Sequence, residues 1–464
     1  NLVTTLLYSL FTTYSLNELN TYILDFGSEV LNNFESAPQI GDIIHSGDDE
    51  KIENLFKMIN SEIAIRRKKF VNYNGNYIDY VKSGKESIIP NIVVVINSFE
   101  EFNDLYDINY VDMISELTRD CTKYGIYFVL TSSSINGIRT KISQNFKNII
   151  ALQMNDPMDY RMLFGNTNGI VPSKIYGRGL VKLDRVVEFQ TAYAFNKETL
   201  YEDVKANCME LLMKYKGKAS PVPVLPQVIS YQQLNVENVT LKNIPVGIIK
   251  KNLNTGSIDL TDTIGYLISG RNYDDMTPFI DKILFVLNKA NFKSYIFDSK
   301  YTFEENKYSN LNYLNSNFDN YLKQLDDYSN SIYDLFIKNN SNKRSIKDKA
   351  DVLIVILGLD KFYNGLSAES KKVFENILAK NKDINKVHFI FIDTAGSFKK
   401  NEFNPWYKDS IDSSSGLWIG DGFAEQYAIK PTKLDKSYYD VVGTKFGYLV
   451  NAGIVDLVKL IEKE

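Results

Sequence analysis

Unbroken apolar runs of four or five residues stand out along this chain, separated by stretches whose apolar residues recur every three or four positions. Ile92-Val93-Val94-Val95-Ile96 and Val352-Leu353-Ile354-Val355-Ile356 are the clearest, and each leads to a Phe, Phe102 or Phe362, six residues beyond its last Ile. A third run follows in each half, Tyr127-Phe128-Val129-Leu130 and His388-Phe389-Ile390-Phe391. Upstream, Thr21-Tyr22-Ile23-Leu24-Asp25 matches Ser294-Tyr295-Ile296-Phe297-Asp298, and each follows a helix-period segment, Leu2 to Leu10 and Phe279 to Leu287. Continuous apolar strands alternating with amphipathic helices belong to a parallel sheet covered on both faces. Order and spacing agree between the halves, so a duplicated, doubly wound α/β domain is predicted. Pro221-Val222-Pro223-Val224-Leu225-Pro226 can continue neither a helix nor a central strand, which puts the boundary between domains 1–225 and 226–464.

Bulk composition narrows the class. A chain of 464 residues is long for one core and fits two domains. With 44% hydrophobic and 24% charged residues it reads as globular rather than disordered. A net charge of −4 argues against a dedicated nucleic-acid surface. Cys121 and Cys208 have no metal-ligand spacing, and His45 and His388 stand apart, so no metal site and no disulfide scaffold are expected. No apolar stretch of about 18 residues marks a membrane span, and no signal peptide is read. Asn1 lies within an amphipathic helical pattern, from which an upstream part of the chain is expected.

The phosphate chemistry can be tested against the repeat. A P-loop, G-x-x-x-x-G-K-[ST] between a strand and a helix, wraps phosphate with backbone N–H groups, meets it with Lys and holds Mg²⁺ with the hydroxyl. In the second half the run Ile264 to Ile268 ends at Ser269-Gly270, and counting on puts Asp275 at the second Gly, Met276 at the Lys and Thr277 at the hydroxyl. Pro278 would then sit in the first helical turn, leaving a surviving frame without its chemistry, since Met276 brings no charge and Asp275 places a carboxylate against phosphate. In the first half the same register equates Asn1 with Pro278, so the deciding loop would lie upstream of residue 1. At the ends of the runs Ile92 to Ile96 and Val352 to Ile356 a hydrolytic site carries Asp and often Glu. Here Asn97 and Ser98 follow Ile96, and Leu357 and Gly358 follow Ile356. Weak nucleotide chemistry at most is expected in the first domain and none in the second. Glu100, Glu101 and Asp360 read as helix-start carboxylates.

Together these residues resemble the FtsK/SpoIIIE ATPase domain. Its sensor strand reads like Phe128-Val129-Leu130-Thr131-Ser132, with Thr131 at the sensor position, and Asn145 to Leu152, Asp159-Tyr160-Arg161 and Gly177-Arg178-Gly179 stand at the family's spacing. Ser143 and Ile149 replace basic residues of that pattern. His45 to Glu50, Arg66 to Phe70, Ile244 to Gly247 and Gly420 to Gln426 narrow the likeness to the C-terminal tandem domains of type VII secretion coupling proteins, the EssC/EccC-like ATPases. The resemblance implies two RecA-like P-loop domains on the cytoplasmic face of a bacterial cell membrane, as part of a larger membrane-anchored protein. It also implies ATP and Mg²⁺ in the first domain if the upstream loop is intact, and none in the second. Implied partners are secreted WXG-motif helical substrates, upstream domains of the same chain and further copies of it, with DNA unexpected. Arg139, Arg161 and Arg178 are candidates for acting on a neighbouring subunit's nucleotide. The second domain would dock substrate, and Tyr273, Trp406, Tyr407 and Trp418 are expected as solvent-facing carriers near its nucleotide edge. A DNA translocase fragment and an oligomerisation scaffold are the competing readings.

Overall fold

The structure, a computed structural model, describes residues 2–27, 29–84, 89–106, 108–234, 236, 238–290, 292–304 and 307–464; Asn1, equated above with Pro278, lies outside them. The chain divides into two compact units, Asn1–Val224 and Leu225–Glu464, and the division falls inside the proline-rich segment. That segment is strapped to the first unit. Val222 is buried in its core, its N–H donates to Asp42, and Asn54 Nδ2 donates to the Pro223 carbonyl.

In the first unit β1 (Leu19–Asp25), β2 (Ile40–His45), β3 (Asn91–Asn97) and β4 (Ile126–Leu130) form a parallel sheet in the order β2-β1-β3-β4. Alternation decides which face each residue covers. Ile23, Val93 and Val95 pack with Leu7 and Phe11 of helix Leu2–Thr13 and with Val204 of helix Leu200–Tyr215. Leu24, Val94 and Ile96 pack on the opposite face with Ile52 and Leu55 of helix Asp49–Lys69. Each such fully buried aliphatic side chain contributes about 1.5–3 kcal/mol. Arg66, buried in the last turn of Asp49–Lys69, ties that helix to the starts of β3 and β4 by donating to the Pro90 and Tyr124 carbonyls, both at 2.7 Å. A separate antiparallel sheet follows, β5 (Ile150–Ala151), β6 (Arg178–Lys182) and β7 (Val186–Gln190).

The second unit holds one sheet built from β8 (Ile244–Ile249), β9 (Thr255–Ile258), β10 (Gly265–Gly270), β11 (Lys293–Asp298), β12 (Leu311–Leu314), β13 (Val352–Leu357), β14 (Val387–Thr394), β15 (Ile411–Ile419), β16 (Phe446–Asn451) and β17 (Ile454–Leu460). Their order is β12-β11-β13-β14-β10-β15-β16-β17-β8-β9, parallel from β12 to β15 and antiparallel beyond. Leu353 and Val355 face helix Tyr273–Asn288, whereas Ile354 and Ile356 face helices Phe318–Lys338 and Ala368–Ile384.

The predicted α/β architecture, parallel strands with helices on both faces, is therefore present in both units, and β12-β11-β13-β14 repeats β2-β1-β3-β4. The repeat extends to backbone detail, because β3 and β13 both run into a left-handed residue, Ser98 at φ 60° and Gly358 at φ 81°. In the second unit β10 stands between β14 and β15. Among the described residues of the first unit no strand stands between β4 and β5, and Tyr127 of β4 is 39% exposed. No helix among the described residues is long and apolar enough to cross a membrane.

Candidate functional site: the strand ends of each unit

The carboxyl edge of a parallel sheet is where open α/β folds bind ligands. In the first unit the register brings His45, Asp25 and Asn97 level at the ends of β2, β1 and β3, with Thr131 just past β4. Asn97 Nδ2 donates to Asp25 Oδ1 at 2.8 Å, while Thr131 Oγ1 donates to Asn97 Oδ1 at 2.8 Å and accepts the Ser98 N–H at 2.9 Å. Asp25 is buried and also takes the N–H groups of Gly27 and Leu31. The sequence-predicted Asn97, Ser98 and Thr131 thus meet in one network, and Asp25 is its carboxylate. Asn97 Oδ1 keeps one lone pair, enough to accept from a metal-bound water but too weak a base to take a proton.

Glu100 is committed elsewhere. It accepts the Ser133 N–H, and although burial works to raise its carboxyl, the hydrogen bonds from Ser133 outweigh that and leave it below the usual range. Arg139 precedes the short helix Thr140–Ser143, Arg161 lies exposed on helix Pro157–Phe164, and Arg178 on β6 faces Glu188 at 3.8 Å. Among the described residues none of the three hydrogen-bonds or ion-pairs with Asp25, Asn97, Ser98 or Thr131.

The second unit corrects the expectation of a surviving P-loop frame. β10 ends at Gly270, Arg271 and Asn272 make the whole turn, and the helix begins at Tyr273, so Pro278 is its sixth residue rather than in the first turn. Asn272 at the cap, with Asp274 and Asp275 in the first turn, favours an early helix start. Met276 is buried against β10, and a Cβ on Gly270 would lie 3.0 Å from its Cγ and Sδ. Asp275 accepts from Asn272 Nδ2 and Thr277 Oγ1 donates back to the Tyr273 carbonyl. These residues are a packed helix start rather than a loop wrapped around phosphate, and Leu357 at the end of β13 is buried and apolar. The groups present do not fit a metal–nucleotide pair.

Two buried carboxylates missed by sequence reasoning lie at this edge. Asp298, closing β11, accepts the N–H groups of Lys300, Thr302 and Phe303 and the Tyr313 hydroxyl. Asp393, near the end of β14, accepts the Thr394 and Asp360 N–H groups at 2.8 and 3.2 Å. A polar residue directly after the run His388 to Ile392 was the available signal for Asp393.

Beyond β14 and β15 opens a pocket of about 620 Å³, lined by Arg271, Lys399, Phe403, Lys408, Tyr427 and Lys430 among others. Phe403 and Tyr427 are 75% and 77% exposed, and the Lys408 ammonium lies 5.6 Å from the Phe403 ring centroid. The Gly420 to Gln426 stretch builds one wall. Gly422 stands at φ 84°, and a Cβ there would lie 2.3 Å from Arg271 Nε, so glycine lets Arg271 lie against the chain and pair with Glu425. Asp421 fixes the next loop by accepting the Val442 and Gly443 N–H groups. Three of the four aromatic residues expected to face solvent are corrected: Trp406 and Trp418 are 6% and 1% exposed and Tyr407 is buried with them, while Tyr273 is half-buried. Trp406 packs on Tyr363 and Phe374 with ring centroids 5.0 and 5.2 Å apart, where burial of aromatic surface outweighs any gain from exposure.

A repeated parallel core with its polar groups gathered at the strand ends makes the chain a pair of doubly wound α/β units. Residues 1–167 match the FtsK/SpoIIIE family model. The chain is similar to the ESX secretion system protein EccC of Geobacillus thermodenitrificans, 26% identical over 288 residues, 60% of this chain and 19% of that protein. It is also similar to the type VII secretion system protein EssC of Staphylococcus aureus strain MRSA252, 20% identical over 83% of this chain and 26% of that protein. The chain thus spans about a fifth to a quarter of these relatives. EssC ATPases 2 and 3 from Geobacillus thermodenitrificans share the fold at a TM-score of 0.80 and 21% identity, covering 100% of this chain and 88% of that one. Thermomonospora curvata EccC ATPases 2 and 3, solved in complex with a signal sequence peptide, align at a TM-score of 0.57 and 19% identity, covering 100% and 85%. The likeness to the tandem FtsK/SpoIIIE-type domains of EssC/EccC type VII secretion proteins is thereby borne out.

Proposed function

We propose that the chain forms two tandem ATPase-like domains, residues 1–225 and 226–464, of a membrane-anchored type VII secretion coupling protein at the cytoplasmic face of a bacterial membrane, and that the second recruits secreted helical proteins of the WXG-motif class. The observation that carries this reading is the amphipathic pocket beside a strand edge without phosphate chemistry. Phe403 and Tyr427 offer apolar anchors, and Arg271, Lys399, Lys408 and Lys430 outnumber Glu402 and Glu425. That lining suits a peptide with an apolar anchor and acidic neighbours. The signal sequence peptide bound to the Thermomonospora EccC domains supports a peptide ligand.

For the first domain the reading is weak nucleotide binding with slow hydrolysis at most. Asn97 and Thr131 would hold a Mg²⁺-bound water beside ATP, and the Mg²⁺ would neutralise phosphate charge. Asp25 is held by Asn97, Gly27 and Leu31, and Glu100 gives one oxygen to the Ser133 N–H, so neither stands where a base would be positioned by Asn97 and Ser98. The test is anisotropy of a labelled signal sequence peptide from the cognate secreted protein, titrated with the whole chain. Saturable binding weakened about tenfold or more by Phe403→Ala with Tyr427→Ala, roughly the loss of one anchor, is expected. Binding indifferent to both substitutions would sink the pocket assignment.

A further inference from the structure

The two units differ by a reciprocal exchange at the same two places. Two residues past Asp25 the first unit has Gly27, where a Cβ would meet Asn97 Nδ2 at 2.9 Å and Ser98 Oγ at 3.0 Å. Two residues past Asp298 the second unit has Lys300, and the position of Ser98 is taken by Gly358. A Cβ on Gly358 would lie 2.6 Å from Lys300 Cγ and 2.7 Å from its Cε. Where the first unit has polar side chains on β3 and a bare glycine opposite, the second has a bare glycine on β13 and a lysine lying across it.

We propose that Lys300 is a strap that closes the strand edge of the second unit, crossing β13 over Gly358 and serving as the internal cation of the buried Asp393 carboxylate. Its ammonium lies 3.9 Å from Asp393 Oδ1 and 5.1 Å from the Tyr273 ring centroid, so it sits between the end of β14 and the start of the helix after β10. Asp393 is fully buried with two backbone donors, and a buried carboxylate without a nearby cation is costly. The charged and titratable groups around Asp393 are Lys300 from β11, Tyr273 from the helix after β10, Asp360 after β13 and Lys400 after β14. Lys400 is itself paired with Asp360 at 2.9 Å, and Asp298 is held by its own loop, which leaves Lys300 as the uncommitted cation of this group. The strap deepens the reading of the second unit as nucleotide-free, and rests on it. A metal ion brought to this edge would have to displace a tethered ammonium, in addition to lacking a phosphate loop.

Both tryptophans of the chain, Trp406 and Trp418, lie in the second unit, so their fluorescence during urea unfolding of the whole chain follows that unit. Lys300→Met keeps the stem and removes the charge. Its midpoint is expected below wild type, because the buried Asp393 carboxylate loses its nearest cation. In the Asp393→Asn background the same substitution should shift the midpoint by less than about half as much. A midpoint no lower than wild type, or a gap of equal size in both backgrounds, overturns the strap and leaves the nucleotide-free reading standing. A midpoint raised by Mg-ATP in the wild type would instead overturn that reading.

Discussion

The ends of β3 and β13 occupy the same place in the two units and carry opposite chemistry. After β3, Asn97 bridges Asp25 and Thr131 in a polar network with backbone N–H groups around it. After β13, Leu357 is buried among apolar neighbours, and the polar groups of that edge have turned inward onto Asp298 and Asp393. The backbone step is shared, left-handed at Ser98 and Gly358, so the frame persists while the side chains on it change use. A parallel sheet is held by its two apolar faces, and the strand ends contribute little to that packing. They can therefore exchange polar groups while the fold persists, provided that each buried polar group left behind keeps a partner.

The largest effect should come from the aromatic core that backs the pocket. Trp406→Ala is expected to destabilise the second unit by about 3–5 kcal/mol, read from Trp418 fluorescence in urea. Lost peptide binding with an unchanged midpoint would contradict its placement in the core. Giving the first unit the character of the second, Asn97→Leu removes one hydrogen bond each from the buried Asp25 carboxylate and the Thr131 hydroxyl and should cost about 1–3 kcal/mol by denaturation followed through circular dichroism. A neutral outcome would mean that the network does not hold β1, β3 and β4 together. Gly422→Ala forces a side chain to φ 84° against Arg271 and should cost about 1 kcal/mol, with weaker peptide binding as Arg271 leaves Glu425.

The smallest effect concerns pH at the opposite end of the second sheet. Burial works to raise the Asp351 carboxyl, but His388 and Lys386 outweigh it and hold it below the ordinary range. A depressed carboxyl stabilises the fold above its unfolded value of about 4, and that contribution fades as the pH falls through the lower folded value. Asp351→Asn should therefore flatten the acid limb of the stability profile slightly and leave the region above about pH 6 nearly parallel to wild type.

Periodicity made the fold legible because Val93 to Ile96 and Leu353 to Ile356 are buried on both faces and so read as unbroken apolar runs. The phosphate loop was misread because counting from Gly270 assumed family spacing, whereas Asn272, Asp274 and Asp275 start the helix early and draw Met276 inward. The pocket was not legible at all. Its lining comes from Arg271, Phe403 and Lys430, far apart in sequence and joined by β10 pairing with β14 and β15. The tryptophans were misplaced because composition cannot distinguish an anchor from a core residue.

Competition between peptide and nucleotide tests the central claim most directly, with the labelled peptide bound to the whole chain and Mg-ATP added in excess. The expected result is unchanged anisotropy, because the pocket beside β15 and the closed strand edge of the second unit share no nucleotide chemistry. Displacement of the peptide by Mg-ATP, abolished by substituting Lys300 or Tyr273, would show that this edge still binds nucleotide and would contradict the account.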